Sequence, residues 1–403
     1  MYGTGINAGH FRFDKISLPD FTKQPQNLPP LFDAYSLAYA IGVAPKTVTY
    51  LLKADPEFRG KNQKAKGKKL TFVKNNLYRD LAVQIPPEGA PTALRKDNMY
   101  KTMQIPKKTP GEFRILHDPH IILKHVQRQL LDRLLSSLEM PDYVTGFMKD
   151  VSIVDTAKQH TQKEVVCCVD IHDFFPSVKE IMIRECMMSY GWPENVARMI
   201  SELCTYHNFL PQGAPTSPVV SNLVAYHRFD KDIKKLADAN GFVYSRYADD
   251  LVFSTKDTDT KYTGVVDNFL YEVETVLARA GFKISDDKTK IMRKGSAQMV
   301  LGQSVPNAQP TLPGKKYYLL RAIVHNCLTQ GIEEQAKRSK QTPTSFIRTV
   351  KGHLNFLRNV DPVKFGKLQP QFETALFNFD PGLTANVNVN KDWCPVAKPQ
   401  EAK

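Results

Sequence analysis

The sequence lacks any run of 18 apolar residues, and no apolar signal segment opens it, which predicts a soluble protein without a membrane span or export leader. It also lacks a C-x-x-C pair. Its six cysteines, Cys167, Cys168, Cys186, Cys204, Cys327 and Cys394, have no histidine at a zinc-site spacing, so zinc ribbons and fingers are excluded. The thiols read as reduced, several of them in the core. Acidic residues are missing from Arg59 to Lys69, where six of eleven residues are basic; such a run is usually a solvated loop, and it meets phosphate only if it faces a cleft. What the chain does have is size and charge. Its 403 residues, 42% of them hydrophobic, can bury a substantial core in two or three lobes, and a formal charge of +14 with a pI near 9.3 suggests a polyanionic partner.

The most informative residues are Tyr247-Ala248-Asp249-Asp250, which lie between the apolar runs Phe242–Arg246 and Leu251–Ser254. That pattern predicts a β-hairpin with two carboxylates at its tip. Asp-Asp is common in turns because Asp tolerates their geometry. Two strands of β-branched and aromatic residues favour another reading: paired carboxylates become useful when divalent cations bridge them to an anionic substrate. Asp170 is the best further carboxylate. It closes the apolar run Val165–Val169 before the aromatic turn Ile171-His172-Asp173-Phe174-Phe175, and it lies too far upstream to cap a helix expected to start near Ser177-Val178, where Ser177 is the better N-cap.

These stretches carry a family resemblance. Asp170–Phe175, the string Leu210-Pro211-Gln212-Gly213-Ala214-Pro215-Thr216-Ser217-Pro218 and Tyr247–Asp250 resemble, in order and spacing, motifs A, B and C of the reverse transcriptase palm. Ile105-Pro106-Lys107-Lys108 with Arg114-Ile115, Gly146-Phe147, Ser152-Ile153 and Ala157-Lys158-Gln159-His160 resemble the retron-type bacterial enzymes, over roughly residues 30 to 375. The resemblance implies an α/β right-hand polymerase with fingers, a palm built on a small antiparallel sheet backed by helices, and a helical thumb. The expected divisions are an N-terminal arm and helical lobe (1–95), fingers and palm (96–300), thumb (301–379) and a loose tail (380–403).

The implied activity is RNA-directed DNA synthesis with two Mg2+ ions held by Asp170, Asp249 and Asp250, with Ile171 beside them in the metal set. Lys107 and Arg114 are the expected clamp on the dNTP triphosphate, although each could equally be a surface ion-pair partner. Phe175, five residues after Asp170, falls where the family places a ring under the sugar, and Gln212 where it seats the nascent base pair. Lys288, in a stretch that resembles motif D, is the candidate general acid for pyrophosphate or a solvent-facing lysine. His160, with Val300 and Gly302 of the Val300-Leu301-Gly302 string, belongs to stretches linked in the family to recognition of its own RNA. The implied partners are a cognate structured non-coding RNA serving as template and primer, its short branched cDNA (msDNA), dNTPs and a separate effector (toxin) protein. The same reading implies no membrane partner and a setting in the bacterial cytoplasm, in antiphage defence. Two alternatives stand beside this reading: another bacterial defence reverse transcriptase, or a nucleoprotein scaffold restraining a toxin.

Local patterns predict a pair of short helices over Ser36–Leu52, a hairpin joining Met103–Ile105 to Phe113–Ile115, and a helix over Ile121–Leu138 with Lys124, Gln127, Arg128 and Arg133 facing outward. They also predict helices over Val219–His227 and Val266–Ala280, and a basic helical stretch from Lys315 to about Leu368. Prolines predict irregular chain in the first thirty residues and around Pro86–Pro91.

Overall fold

The computed structural model describes residues 30–53, 99–107, 111–257 and 264–380. The expectations for the N-terminal arm, the basic run 59–69, the proline-rich stretch near 86–91 and the tail beyond 380 lie outside the described residues. The chain divides into two compact units, one built from Met1–Glu139 and Phe175–Val224, the other from Met140–Phe174 and Ala225–Lys403.

In the first unit, α1 (Ala34–Ala40) opens on a capping box: Asp33 accepts from the Ser36 amide at 2.7 Å, and the Ser36 hydroxyl accepts from the Asp33 amide at 2.9 Å. Helix α2 (Pro45–Lys53) follows, as the sequence predicts. Strands β1 (Tyr100–Pro106) and β2 (Phe113–Pro119) form the expected hairpin, longer than the pattern suggests, with Ile105 opposite Arg114. Helix α3 (Ile121–Arg133) buries Ile122, Val126 and Leu130 but stops before Leu138, because Leu134 leaves helical geometry and a single tight turn follows. Gln127 does not face outward. It is fully buried, and its amide donates to the Tyr100 hydroxyl and the Leu203 carbonyl, both at 2.9 Å.

The helix expected near Ser177 also differs. Phe174–Ser177 is one helical turn (α5), and the next helix, α6 (Glu180–Ser189), starts from Lys179 with no side-chain cap. The cause is pairing: the Leu210 amide donates to the Val178 carbonyl, and Lys179 bridges Phe209, so Val178–Lys179 is held extended between the two helices. Helix α7 (Glu194–Cys204) packs on α6.

The second unit is organised by a four-stranded antiparallel sheet in the order β4-β5-β3-β6, made of β3 (Val165–Asp170), β4 (Val243–Tyr247), β5 (Asp250–Thr255) and β6 (Lys290–Arg293). Helix α8 (Ser217–Ala225) starts earlier than expected and continues through a wide π turn, Tyr226–Asp230, into α9 (Lys231–Ala239). Helix α10 (Val265–Arg279) matches its pattern, and its Phe269 stacks on Phe242 with ring centroids 4.2 Å apart. Short helix α4 (Ile153–Lys158) and the small hairpin β7 (Met299–Val300)–β8 (Gln303–Ser304) share a core formed by Ala157, Val166, Val252, Val300 and Val305. Helices α11 (Gly314–Gln330), α12 (Ile332–Arg338), α13 (Pro343–Val360) and α14 (Pro362–Phe379) build a separate core around Val324, Leu354, Leu357 and Phe372. Lys315, Lys316, Arg321, Lys337, Arg338, Lys340 and Arg348 are exposed on it. Among the described residues no helix is long and apolar enough to cross a membrane, and Cys167, Cys186, Cys204 and Cys327 are buried free thiols.

Candidate active site

The antiparallel pairing of β3 with β5 brings carboxylates from distant parts of the chain together. Asp170, the last residue of β3, is directly opposite Asp250, the first of β5, and Asp249 occupies the turn between β4 and β5. Ala248 in that turn has φ +57, and the Asp249 carbonyl accepts from the Ile171 amide at 2.9 Å, tying the turn to the end of β3. Burial, then the charges of Asp249 and Asp170, push the Asp250 carboxyl up to about 6. Asp170 is half-buried and already draws cationic and polar donors: the Lys288 ammonium at 2.8 Å and the Ser285 hydroxyl at 2.9 Å meet the same carboxylate oxygen. That hydrogen bond, helped by the surrounding carboxylates, raises the Lys288 pKa. Ile171 is buried and bridges Ile284.

Behind the tip, Arg246 and Asp230 are both fully buried. Arg246 Nη2 is 2.7 Å from one Asp230 oxygen, Nε lies 2.9 Å from the other, and the Tyr244 hydroxyl donates to Asp230 at 2.7 Å. Arg246 Nη1 reaches forward to the Ala248 carbonyl at 3.2 Å, so the guanidinium joins the π turn that carries Asp230 to the carboxylate-bearing turn. Sequence patterning missed this pair and Ser285. A charged residue inside an otherwise uncharged strand was the available signal for Arg246.

The four expected nucleotide-side residues stand on the first unit. Lys107 and Arg114 are exposed at the turn end of the β1–β2 hairpin, and Lys107 Nζ pairs with Glu112 at 3.2 Å, which is the surface ion pair the sequence left open. Phe175 is half-buried in the one-turn α5. Gln212 is half-buried, and its carbonyl accepts from the His117 amide at 2.8 Å, pinning the Pro-Gln-Gly loop to β2. Gly213 follows with φ +119, a conformation that glycine adopts without strain, and its Cα faces the His117 carbonyl.

Two of the three expected RNA-contacting side chains need correction. His160 is fully buried: Nδ1 meets Ser254 Oγ and Nε2 meets Ser245 Oγ, each at 2.7 Å, so neither nitrogen is left for a ligand. Burial, with the charge of Lys163, pushes its pKa down to about 3. Val300 is likewise fully buried, in the core shared with α4. Leu301 (φ +46) and Gly302 (φ +78) form the two-residue turn of the β7–β8 hairpin, the left-handed pair that such a tight hairpin requires. The Gln303 amide donates to the Ile153 carbonyl at 2.9 Å, so the stretches around Ile153, His160 and Val300 are one packed structure behind the sheet.

The carboxylates suit a hard divalent cation: they offer only oxygen, and their mutual repulsion is relieved by positive charge between them. Among the described residues no group of three or more His, Cys, Asp or Glu side chains is placed to hold a metal ion by itself. Mg2+ does not call for one, since it keeps waters and takes one or two carboxylates together with substrate phosphates.

The sheet, its carboxylate pair and the helices around it define an α/β nucleotidyl-transfer palm. The reverse transcriptase (RNA-dependent DNA polymerase) family matches residues 105–340, and the chain belongs to that family. Within it, the resemblance is to the retron type. The chain is 29% identical over 266 residues to the retron Ec86 reverse transcriptase of Escherichia coli, covering 66% of this chain and 78% of that one. It is 34% identical over 248 residues to the retron Mx65 enzyme of Myxococcus xanthus (56% and 55% covered) and 32% identical over 293 residues to the Mx162 enzyme of the same organism (66% and 58%). It thus spans little more than half of the two Myxococcus proteins. A foamy viral protease–reverse transcriptase in complex with double-stranded DNA overlaps 68% of this chain and 38% of its own at 16% identity and a TM-score of 0.38, too loose a likeness to carry a conclusion.

Proposed function

We propose that the protein copies a cognate structured non-coding RNA into short branched DNA. The reaction joins a primer hydroxyl to the α-phosphate of a dNTP, with the bond to pyrophosphate breaking. The observation that carries this reading is the Asp170–Asp250 pair with Asp249 at the adjacent turn, three carboxylates gathered where burial, and then their mutual repulsion, raises the Asp250 pKa. Asp170, Asp249 and Asp250 would hold two Mg2+ ions, which when bound activate the attacking hydroxyl and stabilise the leaving pyrophosphate. Lys288, paired with Asp170, is well supplied with its proton and would donate it to pyrophosphate. Lys107, on leaving Glu112, and Arg114 would grip the triphosphate, Phe175 would exclude a 2′-hydroxyl, and Gln212 would seat the base pair. The exposed basic residues of α11–α13 suit phosphate contacts to folded RNA and its cDNA copy.

The retron-type resemblance supports a dedicated RNA encoded beside the gene, a toxin as a separate partner and a role in antiphage defence in the bacterial cytoplasm. Sequencing nucleic acid that copurifies with the protein tests the reading. The expected species is DNA joined to RNA by a 2′,5′ linkage and sensitive to debranching. Recovery of only unbranched DNA from an active preparation would replace it with a different defence reverse transcriptase.

A further inference from the structure

The carboxylate-bearing turn is held from outside by a short strap, Tyr143–Phe147. The Arg246 amide donates to the Tyr143 carbonyl at 2.8 Å, and Val144 bridges Arg246 in parallel. The Arg246 carbonyl in turn accepts from the Thr145 amide at 2.9 Å, the Thr145 hydroxyl at 3.0 Å and the Gly146 amide at 3.3 Å. Phe147, at φ +60, carries its ring to 6.2 Å from that of Tyr247. At the centre of the strap Gly146 lies almost on the Tyr247–Ala248 peptide. A Cβ added there would overlap the Ala248 nitrogen and come within 3.0 Å of the Tyr247 Cα and carbonyl carbon. Those are backbone atoms of the residues just before Asp249, so no rotamer change relieves the contact; the turn or the strap has to move. From the inner side the buried Arg246 guanidinium holds the Ala248 carbonyl and is itself fixed by Asp230. The turn is therefore clamped between a side chain within and a backbone strap without, and only a residue lacking a side chain permits the outer approach.

We propose that Gly146 is a positioning residue for the carboxylates of Asp249 and Asp250: its bare Cα lets the strap lie on the Tyr247–Ala248 peptide and fixes where both side chains point. The inference rests on the polymerase reading only for its activity readout. The test is Gly146→Ala in the full chain, with Mn2+ affinity measured by electron paramagnetic resonance alongside the single-turnover primer-extension rate as Mg2+ is varied. Groups that orient metal ligands change affinity or rate by about 10–100-fold when lost, so Mn2+ binding is expected to weaken at least about tenfold and extension to fall by a similar factor. Raising Mg2+ should recover part of the rate, and affinity for primer–template should stay within about twofold, since no phosphate contact changes. A purely structural glycine would lower thermal stability and leave the metal dependence of the folded fraction unmoved, and that result overturns the proposal.

Should Gly146→Ala fail to fold, Thr145→Val removes only the hydroxyl bond to the Arg246 carbonyl. It is expected to weaken Mn2+ binding by about threefold while the protein still unfolds cooperatively, since a single neutral hydrogen bond contributes modestly; unchanged Mn2+ affinity in that variant contradicts the proposal. If the wild-type protein itself extends no primer, the polymerase reading fails, and the Mn2+ comparison still decides the role of Gly146.

Discussion

Two polar clusters sit on the β4–β5 hairpin, one along its body and one at its tip, and their chemistry is opposite. Along the body, His160 spans the strands with both ring nitrogens answered by serines, and Arg246 and Asp230 answer each other with Tyr244 filling in. At the tip, Asp170, Asp249 and Asp250 carry the same charge, and burial together with that repulsion keeps Asp250 reluctant to ionise. A buried polar group whose partners are all internal contributes to architecture. Like charges gathered at the solvent-reachable end of the same sheet cost stability; Lys288 offsets part of that cost at Asp170, and a bound cation would offset the rest.

The comparison breaks first if the tip proves dispensable. Asp249→Asn is expected to reduce primer extension by about a thousandfold or more, as loss of a group acting directly on the developing charge does, while thermal unfolding stays close to wild type. Extension at the wild-type rate from a folded variant would remove the carboxylates from the chemistry. The body should respond in the other sense. Arg246→Ala leaves the Asp230 carboxylate buried without its guanidinium and is expected to cost about 3–5 kcal/mol in denaturant unfolding; a loss below about 1 kcal/mol would mean water reaches Asp230 freely.

His160 gives the smallest effect and a pH signature. Its folded-state pKa lies far below its unfolded value, so the unfolded chain binds the extra proton. Stability is thus complete above about pH 6.5 and falls as pH drops through the window toward 3, by about 1.4 kcal/mol per pH unit. His160→Gln should be less stable at neutral pH yet flatter between pH 6.5 and 5 when the two unfolding curves are compared. Parallel curves would show that the ring is protonated, or wetted, in the fold.

Much of this was legible in the sequence because it is local. Apolar, β-branched and aromatic runs marked β4 and β5, and Asp170 stood out as a charge closing an apolar strand. What stayed hidden is long-range. Gln127 has the polarity of an outward residue, and only the Tyr100 hydroxyl and the Leu203 carbonyl, 27 and 76 positions away, explain its burial. His160 reads as a polar ligand until Ser245 and Ser254 enclose it from strands 85 and 94 residues on. The Ser177 start for α6 failed for the same reason, since pairing with Phe209–Leu210 outweighed a good N-cap. Gly146 could be seen in the sequence as part of a familiar dipeptide, but its closeness to the Ala248 nitrogen could not.

If the hairpin tip trades stability for chemistry, Asp250→Asn separates the two. Removing one of the crowded carboxylates should raise the unfolding free energy of the metal-free protein by about 1–3 kcal/mol, the scale of the raised Asp250 pKa, while primer extension disappears. A variant that is both less stable and still able to extend a primer would show that Asp250 belongs to the architecture and that the carboxylate cluster is not the catalytic centre.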